Sequence, residues 1–169
     1  MLRKLLKKDV PQMLEWMHDE KVNCNFRFNF AAMTEEKALE FIAESFTEEN
    51  QHFAIVNDAD EYLGTISLKN ISAKDKNAEY AIVIRKNFWG TGVAKKATED
   101  ILKYAFENLK LHKVYLNVLA ENIRANKFYQ KCGFTFEGTF KQHLNLSRQY
   151  GGGADTYKDL NWYAIFNEI

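Results

Sequence analysis

The chain has 169 residues and no formal net charge at neutral pH, because 23 basic side chains balance 23 acidic ones. This balance gives no positive field for nucleic acid or an anionic membrane, and no stretch is apolar for long enough to cross a bilayer. The first residues lack the apolar run of a signal peptide and the two cysteines form no C-x-x-C pair, so we expect a cytoplasmic protein that folds as one domain over residues 1–169.

Hydrophobic spacing and capping residues predict the element order β-α-α-β-β-β-α-β-α-β-β. In chain order we expect a strand over 2–8, helices capped by Asp9 and Thr34, strands over 52–57, 62–71 and 78–84, a helix over 93–109, a strand over 113–119, a helix over 122–132 and strands over 134–144 and 156–166. Residues 23–32, between the first two helices, show no clear helical period. This order is typical of an α+β fold, in which a mixed sheet of about seven strands carries four helices on its faces.

The run from Glu79 to Lys96 places an apolar strand before a turn with two glycines, Gly90 and Gly92, and then a long helix. Glycine lets the backbone approach an anion, and the first N–H groups of a helix have no partner within it and can bind that anion. The turn has neither the sequence of a P-loop nor the G-x-G-x-x-G pattern. By itself it predicts either a phosphate-binding loop or an ordinary tight turn.

A second run, from Leu116 to Phe134, allows a specific family assignment when it is taken together with the first. Together they resemble the GNAT superfamily of N-acetyltransferases, whose nucleotide loop follows Gln/Arg-x-x-Gly-x-Gly/Ala and is matched by residues 89–94, with Trp89 in place of Gln or Arg. The family's second pattern, Asn-x-x-Ala-x-x-x-Tyr-x-x-x-Gly-Phe, is matched by Asn122, Ala125, Tyr129, Gly133 and Phe134. The aromatic loop and the Gly-Phe-x-x-Glu-Gly run over 133–138 are similar to the branch that contains ribosomal-protein, spermidine and nucleotide-aminosugar N-acetyltransferases.

The resemblance implies a GNAT fold with a mostly antiparallel sheet and a V-shaped split between the fourth and fifth strands. It implies that acetyl-CoA binds in this split as a co-substrate, with its pantetheine arm along the fourth strand and its pyrophosphate on the loop and helix start. The residues that it assigns to acetyl-CoA are Ile82, Val83, Ile84, Trp89, Gly90, Thr91, Gly92, Val93, Ala94, Lys95, Asn117, Asn122 and Tyr129. Four basic residues either screen the phosphates or are solvated surface: Arg85, Lys86, Lys95 and Lys96. The four histidines share no ligand spacing, so we expect no metal.

Two residues are the candidates for proton transfer. Tyr129 resembles the family's general acid, which protonates the departing thiolate, and its alternative role is that of a buried structural tyrosine. Glu79 resembles a carboxylate that acts as the base directly or through water, and its alternative is an exposed residue at a strand end. Asn117 stands where ribosomal-protein acetyltransferases of this family carry a catalytic glutamate, and an amide cannot take up a proton at neutral pH. Asn122 contacts the pantetheine arm, caps its helix, or does both through different atoms.

The acceptor side of the site is expected from residues 23–32 and 144–157. The residues assigned to the substrate are Phe28, Arg27, Glu79 and Arg148. The phenylalanines at 26, 28 and 30 alternate with polar residues, so they either frame a polar ring or peptide, or pack in the core. Arg27 could bind a phosphate or carboxylate through two hydrogen bonds, and Arg148, before three glycines, is typical of a mobile lid.

We therefore predict an acetyl-CoA-dependent N-acetyltransferase that acts on a primary amine of a small molecule by direct attack. The lack of net negative charge and the presence of Arg27 and Arg148 favour a nucleotide-linked aminosugar within this branch. The alternatives are acetylation of protein amino termini or polyamines, or a non-catalytic module that senses acyl-CoA. A homodimer that forms through the carboxy-terminal strands is an open alternative. Neither nucleic acid nor a membrane is an expected partner.

Overall fold

Seven strands form one central sheet in the computed structural model, which describes residues 1–24, 26, 28–145 and 155–167. The strands are β1 (Leu2–Lys4), β2 (Gln51–Val56), β3 (Tyr62–Ser72), β4 (Asn77–Ile84), β5 (Lys113–Leu119), β6 (Thr135–Asn145) and β7 (Tyr157–Phe166). Their order across the sheet is β1-β2-β3-β4-β5-β7-β6. Strands β4 and β5 run parallel and the other neighbouring pairs are antiparallel. The predicted mixed, mostly antiparallel α+β sheet is confirmed.

Five α-helices flank the sheet in the described part of the chain. They are α1 (Val10–His18), α2 (Glu20–Asn23), α3 (Glu35–Ala43), α4 (Val93–Lys103) and α5 (Ile123–Lys131). The sequence predicts all but α2, a single turn in the stretch without a helical period. None of the helices in the described residues has the length and hydropathy that crossing a bilayer requires.

The helices divide between the two faces of the sheet, and each face has its own core. On one face, which we call the α1 face, Met13 and Met17 of α1 cluster with Ala54 and Val56 of β2. On the opposite face, which we call the α4 face, Ala97 and Ile101 of α4 join the larger cluster, which includes Ile66 and Leu68 of β3 and Tyr129 of α5. Side chains of alternate strand residues point to opposite faces, so both faces of the central strands are apolar.

The amino-terminal segment differs from the prediction. The strand ends at Lys4, and Lys7–Asp9 form a 3₁₀ turn before α1. Asp9 precedes α1 but does not cap it with its side chain. Its buried carboxylate accepts hydrogen bonds from the Arg3 guanidinium at 2.7 and 2.8 Å and from the Leu6 N–H at 2.9 Å. A charged partner from β1 therefore outcompetes the local cap, because a buried carboxylate is most stable when it is paired.

The long helix also differs at its end. The apolar spacing predicts one helix over 93–109, whereas α4 ends at Lys103 and continues as a π-helical turn over Tyr104–Asn108. The Tyr104 hydroxyl donates to Gln51 Oε1 at 3.0 Å, which ties this turn to β2. Apolar spacing does not distinguish a wider helical turn from an α-helical one. By contrast, the predicted caps at Thr34 and Asn122 are confirmed, since both side chains accept a backbone N–H in the first turn of their helices.

The sheet splits between β4 and β5. These strands pair at three positions, of which the last joins Glu79 to Tyr115. Beyond it, β4 pairs only with β3 and β5 pairs only with β7. The predicted V-shaped opening between the fourth and fifth strands is confirmed, and it brings the loops after both strands to the same edge of the sheet.

Candidate active site

The first wall of the cleft is the edge of β4 that faces away from β3. Ala81, Ile82 and Val83 are half-exposed although they lie in a central strand. Alternate residues of a strand direct their backbone groups to opposite neighbours. The N–H of Arg85 donates to β3, at 2.9 Å from the Leu63 oxygen, so the backbone groups of Ile84 and Ile82 face the cleft. The Ile84 carbonyl accepts a hydrogen bond from the Trp89 indole, whereas the backbone groups of Ile82 are left for water or a ligand.

The loop after β4 forms an open cradle at the start of α4. Gly90 and Gly92 have φ angles of +77° and +86°, a conformation that favours glycine, and a Cβ added at either residue would meet no atom within 4 Å. Gly92 stands at the N-cap position and supplies no side-chain cap for α4. The cradle therefore combines open space with unsatisfied N–H groups and the positive end of a helix dipole, which suits a phosphate group.

Trp89 anchors this loop to the end of β4. Its indole Nε1–H donates to the Ile84 carbonyl at 2.8 Å, and its half-buried ring packs against the cores of both faces of the sheet. The guanidinium of Arg124, in the first turn of α5, lies over this ring with its Cζ atom 3.8 Å from the ring centroid. Arg124 was not singled out by the sequence. The predicted topology was a usable signal for Arg124, because a parallel β4–β5 pair brings the helix after β5 to the same edge of the sheet as the glycine loop after β4.

The cations expected near the phosphates differ in their surroundings. Arg85 is buried beneath the loop, where its guanidinium lies 5.5 Å from the Phe88 ring centroid, donates to the Tyr62 carbonyl at 2.9 Å and pairs with Glu15 at 2.7 Å. Its positive charge is therefore already paired with carboxylates, those of Glu15 and Glu61. Lys96 pairs with Asp100 at 2.8 Å, within α4. Lys95 and Lys86 are exposed at the helix start and the loop.

Tyr129 of α5 lies on the α4 face opposite the point where the strands separate. Its ring contacts those of Tyr80 in β4 and Tyr163 in β7, with centroids 6.0 and 6.3 Å apart. The residue is half-buried, and its hydroxyl has no hydrogen bond to another described residue. Burial, and then the neighbouring Cys132 thiol, raise the pKa of Tyr129 above its ordinary value of 10. The hydroxyl therefore stays protonated at neutral pH.

Asn126 fixes the position of α5 and was not singled out by the sequence. Its buried amide donates to the Leu119 carbonyl of β5 at 3.0 Å, and its oxygen accepts from the Tyr163 hydroxyl of β7 at 2.8 Å. Asn122, one turn earlier, caps α5 by accepting the Ala125 N–H at 3.2 Å. Because these bonds join α5 to β5 and β7, they also set where Tyr129 lies.

Glu79 lies on the α1 face at the last paired position before the split. Its two carboxylate oxygens accept hydrogen bonds from Lys69 Nζ and Asn70 Nδ2, each at 2.9 Å. Its register partner Tyr115 has a pKa that burial, and then the charge of Glu79, raise above the ordinary value. The carboxylate is thus held in place by a cation and an amide, both from β3.

The α1 face beside Glu79 carries aromatic side chains that the sequence did not single out. The rings of Tyr115 and Trp162 stack with centroids 5.9 Å apart, and a shallow cavity of about 290 Å³ lies against them. Trp162 Nε1 is buried without a hydrogen-bond partner in the described part of the chain. Asn117 is the register partner of Trp162 and is half-buried. The surface offers ring faces rather than a cluster of carboxylates.

The predicted acceptor residues are only partly within the described chain. Phe28 is 58% exposed, whereas Phe26 and Phe30 contact Trp16 of α1 with centroids 6.1 and 4.9 Å apart. The packing alternative therefore applies to Phe26 and Phe30, and Phe28 remains on the surface. Arg27 and Arg148 lie outside the described residues. No group of three or more His, Cys, Asp or Glu side chains within the described ranges could hold a metal ion.

His52 of β2 should make folding stability depend on pH. Its Nδ1 lies 2.7 Å from Ser67 Oγ, and burial, with a smaller effect of the Lys69 charge, lowers the pKa of His52 from 6.5 to about 4. The unfolded chain therefore binds a proton that the folded chain does not. The contribution is complete above pH 6.5 and is lost as the pH falls toward 4, by about 1.4 kcal/mol per pH unit.

This prediction can be measured by urea unfolding of the protein and of His52→Gln at pH 7 and 4.5. The variant has no imidazole and can still hydrogen-bond to Ser67. The difference in unfolding free energy between the two proteins should change by about 2 kcal/mol in favour of the variant at the lower pH. The carboxylates contribute equally to the pH dependence of the unfolding free energy in both proteins, so any difference comes from His52. An identical pH dependence in both proteins would therefore contradict the prediction.

Comparison with known proteins agrees with the fold and with both sequence patterns. A family model described as an acetyltransferase (GNAT) domain matches residues 1–135. The spermidine N(1)-acetyltransferase of Vibrio cholerae is 35% identical over 97 residues, which are 57% of this chain and 56% of that protein. Acetyltransferase PseH of Campylobacter jejuni is 25% identical over 139 residues, which are 82% of this chain and 85% of that protein. The chain spans about half the length of the spermidine acetyltransferases that it matches.

Among solved structures, the spermidine N-acetyltransferase of Vibrio cholerae in complex with CoA and spermine superposes with a TM-score of 0.85 at 23% identity, covering 98% of this chain and 94% of that one. This similarity shows the shared fold. The family model covers most of the chain, including the glycine loop after β4 and the helix that carries Tyr129. The resemblance found in the sequence is therefore confirmed, and the chain belongs to the GNAT acetyltransferase domain family.

Proposed function

We propose that the protein binds acetyl-CoA in the cleft between β4 and β5 and acetylates a primary amine of a small molecule. The observation that carries this proposal is the open edge of β4, which leads directly to the glycine cradle at the start of α4. An extended amide-bearing chain that ends in a diphosphate matches both parts. Bound acetyl-CoA supplies an acyl group that is activated as a thioester.

In this proposal different residues bind different parts of acetyl-CoA. The backbone of Ile82, with its groups directed into the cleft, pairs with the pantetheine arm, while Val83 and Ile84 shape the same wall. The cradle over residues 89–95 binds the diphosphate through N–H groups, with Lys95 adding positive charge. Asn117 and Asn122 line the opposite side, from β5 and the start of α5. The Asn122 oxygen caps α5, so its amide nitrogen is the atom left to contact a ligand.

Two side chains transfer protons in this proposal, one as general acid and one as general base. Tyr129 Oη–H is the general acid at the sulfur end of the cleft, because its raised pKa keeps it protonated and no described residue takes up its proton. Glu79 accepts the proton of the acceptor amine, directly or through a water molecule. The two groups lie on opposite faces of the sheet at the point where the strands separate, so proton donation and uptake occur on opposite sides of the reacting carbonyl.

We propose a nucleotide-linked aminosugar as the first candidate substrate and a polyamine as the second. On the α1 face each carboxylate near the stacked rings has a lysine partner, Glu79 with Lys69 and Glu137 with Lys113. A polycation would find no excess negative charge there, whereas ring faces suit a sugar or a base. The spermidine acetyltransferases among the similar proteins support the second candidate.

The test is an assay of thiol release from acetyl-CoA with a panel of amines that includes an aminosugar nucleotide, spermidine and a peptide. The aminosugar nucleotide should give the highest kcat/KM. Activity on spermidine or the peptide without activity on the aminosugar nucleotide would overturn the substrate assignment. Binding of CoA without thiol release for any amine would instead favour an acyl-CoA-sensing module.

Replacement of Glu79 by Gln should lower kcat/KM by about a hundredfold at pH 7, because the amide cannot take up the proton of the amine. The loss should shrink as the pH rises, since the amine then loses its proton to bulk water. The matched control is Glu107→Gln, which removes a lysine-paired carboxylate from the π-helical turn after α4, outside the cleft. Equal rates for Glu79→Gln and the unmodified protein would rule out Glu79 as the base.

A further inference from the structure

Trp89 and Arg124 bridge the mouth of the cleft. Trp89 belongs to the loop after β4 and Arg124 to the first turn of α5, after β5, so the two residues come from opposite walls. Their contact, with 3.8 Å between the guanidinium carbon and the ring centroid, is within the range of a cation–π interaction. It places a positive charge beside the cradle that Gly90 and Gly92 form.

The guanidinium of Arg124 has its hydrogen-bonding capacity unused. The side chain is exposed and has neither an ion pair nor a hydrogen bond to another described residue. The nearby acidic residue Glu121 pairs with Lys158 at 2.8 Å, and the acidic residues of α4 pair with lysines of the same helix. Stacking uses the face of the guanidinium and leaves its five N–H donors in the plane available.

Trp89 holds Arg124 in a defined place. The indole is fixed at one end by its hydrogen bond to the Ile84 carbonyl and is packed against both cores. A flat, fixed ring restricts the long arginine side chain before any ligand arrives, which reduces the entropy lost on binding. The pattern of the family has Gln or Arg at position 89. This chain has an apolar ring there and places its cation across the cleft.

We propose that Arg124, positioned by Trp89, binds the diphosphate of CoA from the α5 side of the cleft. This inference rests on the proposed function, because it requires that the cradle binds the same diphosphate from the α4 side. The guanidinium matches two phosphate oxygens with two parallel N–H bonds, an arrangement that a lysine cannot form. Trp89 acts through Arg124 and is a positioning residue.

The test compares three ligands by calorimetry: CoA, dephospho-CoA, which keeps the diphosphate but lacks the 3′-phosphate, and pantetheine, which has no phosphate. Arg124→Ala should weaken the binding of CoA and dephospho-CoA by about tenfold and leave that of pantetheine within about twofold. Arg124→Lys should recover only part of the loss. The control Lys131→Ala removes an exposed cation from the last turn of α5, about 10 Å along the helix, and should change none of the three affinities.

Variants of Trp89 test its positioning role. Trp89→Phe keeps a ring under Arg124 and should cost about threefold or less in CoA affinity, whereas Trp89→Leu should approach the loss seen with Arg124→Ala. Because the two residues act through one contact, the double variant Trp89→Leu with Arg124→Ala should bind CoA about as well as Arg124→Ala alone. Additive losses in the double variant would overturn the positioning role.

The outcomes separate this inference from the proposed function. No binding of CoA to the unmodified, folded protein would overturn the proposed function. Normal CoA binding by both the unmodified protein and Arg124→Ala would overturn the inference alone. A loss for CoA but not for dephospho-CoA would assign Arg124 to the 3′-phosphate and overturn the diphosphate contact. An equal loss for pantetheine would show a structural role and also overturn it.

Discussion

Replacing Tyr129 by Phe should lower kcat by about a hundredfold or more while CoA still binds, because the variant keeps the ring and loses only the acidic proton. The ring packs among Tyr80, Phe134 and Tyr163, so its removal would disturb the core, whereas the hydroxyl has no described partner that needs it. The loss should therefore appear in catalysis and hardly in unfolding free energy. Steady-state kinetics, CoA calorimetry and urea unfolding measure the three quantities.

The pH dependence of kcat gives a second test of Tyr129. Burial raises the pKa of Tyr129 above its ordinary value of 10, so the hydroxyl keeps its proton through neutral and mildly alkaline pH. In the unmodified protein kcat should not fall between pH 7 and 9.5 through loss of this proton. Tyr104→Phe is the control, since it removes a tyrosine hydroxyl that bonds to Gln51 away from the cleft. Unchanged kcat in Tyr129→Phe would exclude the general acid and favour a sensing module.

Replacing Gly92 by Val should weaken CoA binding by on the order of a hundredfold. Gly92 has a φ of +86°, which a β-branched residue adopts only with strain, and it stands at the N-cap of α4. Either the strain moves the first turn of the helix or the new side chain enters the open space in front of its N–H groups. Both results remove the surface that the diphosphate requires. Calorimetry with CoA measures the loss.

The control for Gly92 is Gly138→Val. A Cβ added at Gly138 also meets no atom within 4 Å, but this residue lies in β6 and does not have a positive φ. The control should therefore fold and bind CoA normally. A folded Gly92→Val protein with CoA affinity within threefold of the unmodified protein would contradict the phosphate-binding role of the cradle, and with it the site that we propose.

Several features follow from local sequence and could be predicted. The spacing of apolar residues predicts β5 over the same residues that the structure has, Lys113–Leu119, and the capping residues Thr34 and Asn122 locate two helix starts. The two glycines predict the turn after β4. These features depend on a few consecutive residues, so a single sequence contains the information. The roles of Tyr129 and Glu79 come from the family patterns and stay predictions.

Other features depend on partners that lie outside the helix concerned. Local capping rules identify Asp9 as a helix cap, yet its carboxylate binds Arg3 of strand β1. The end of α4 gives way to a π-helical turn that contacts β2. In both places a hydrogen bond with a residue outside the helix outweighs a local preference, because a buried or half-buried polar group is costly to leave without a partner.

By itself the sequence determined the α+β order, the glycine turn after β4 and the family, since each is encoded in consecutive or regularly spaced residues. Only the tertiary structure decided that Arg85 is buried and pairs with Glu15, that Asn126 joins α5 to β5 and β7, and that Arg124 lies over Trp89. The physical reason is strand pairing. The parallel β4–β5 pair ends at Glu79 and Tyr115, and only this geometry brings the loop after one strand against the helix after the other.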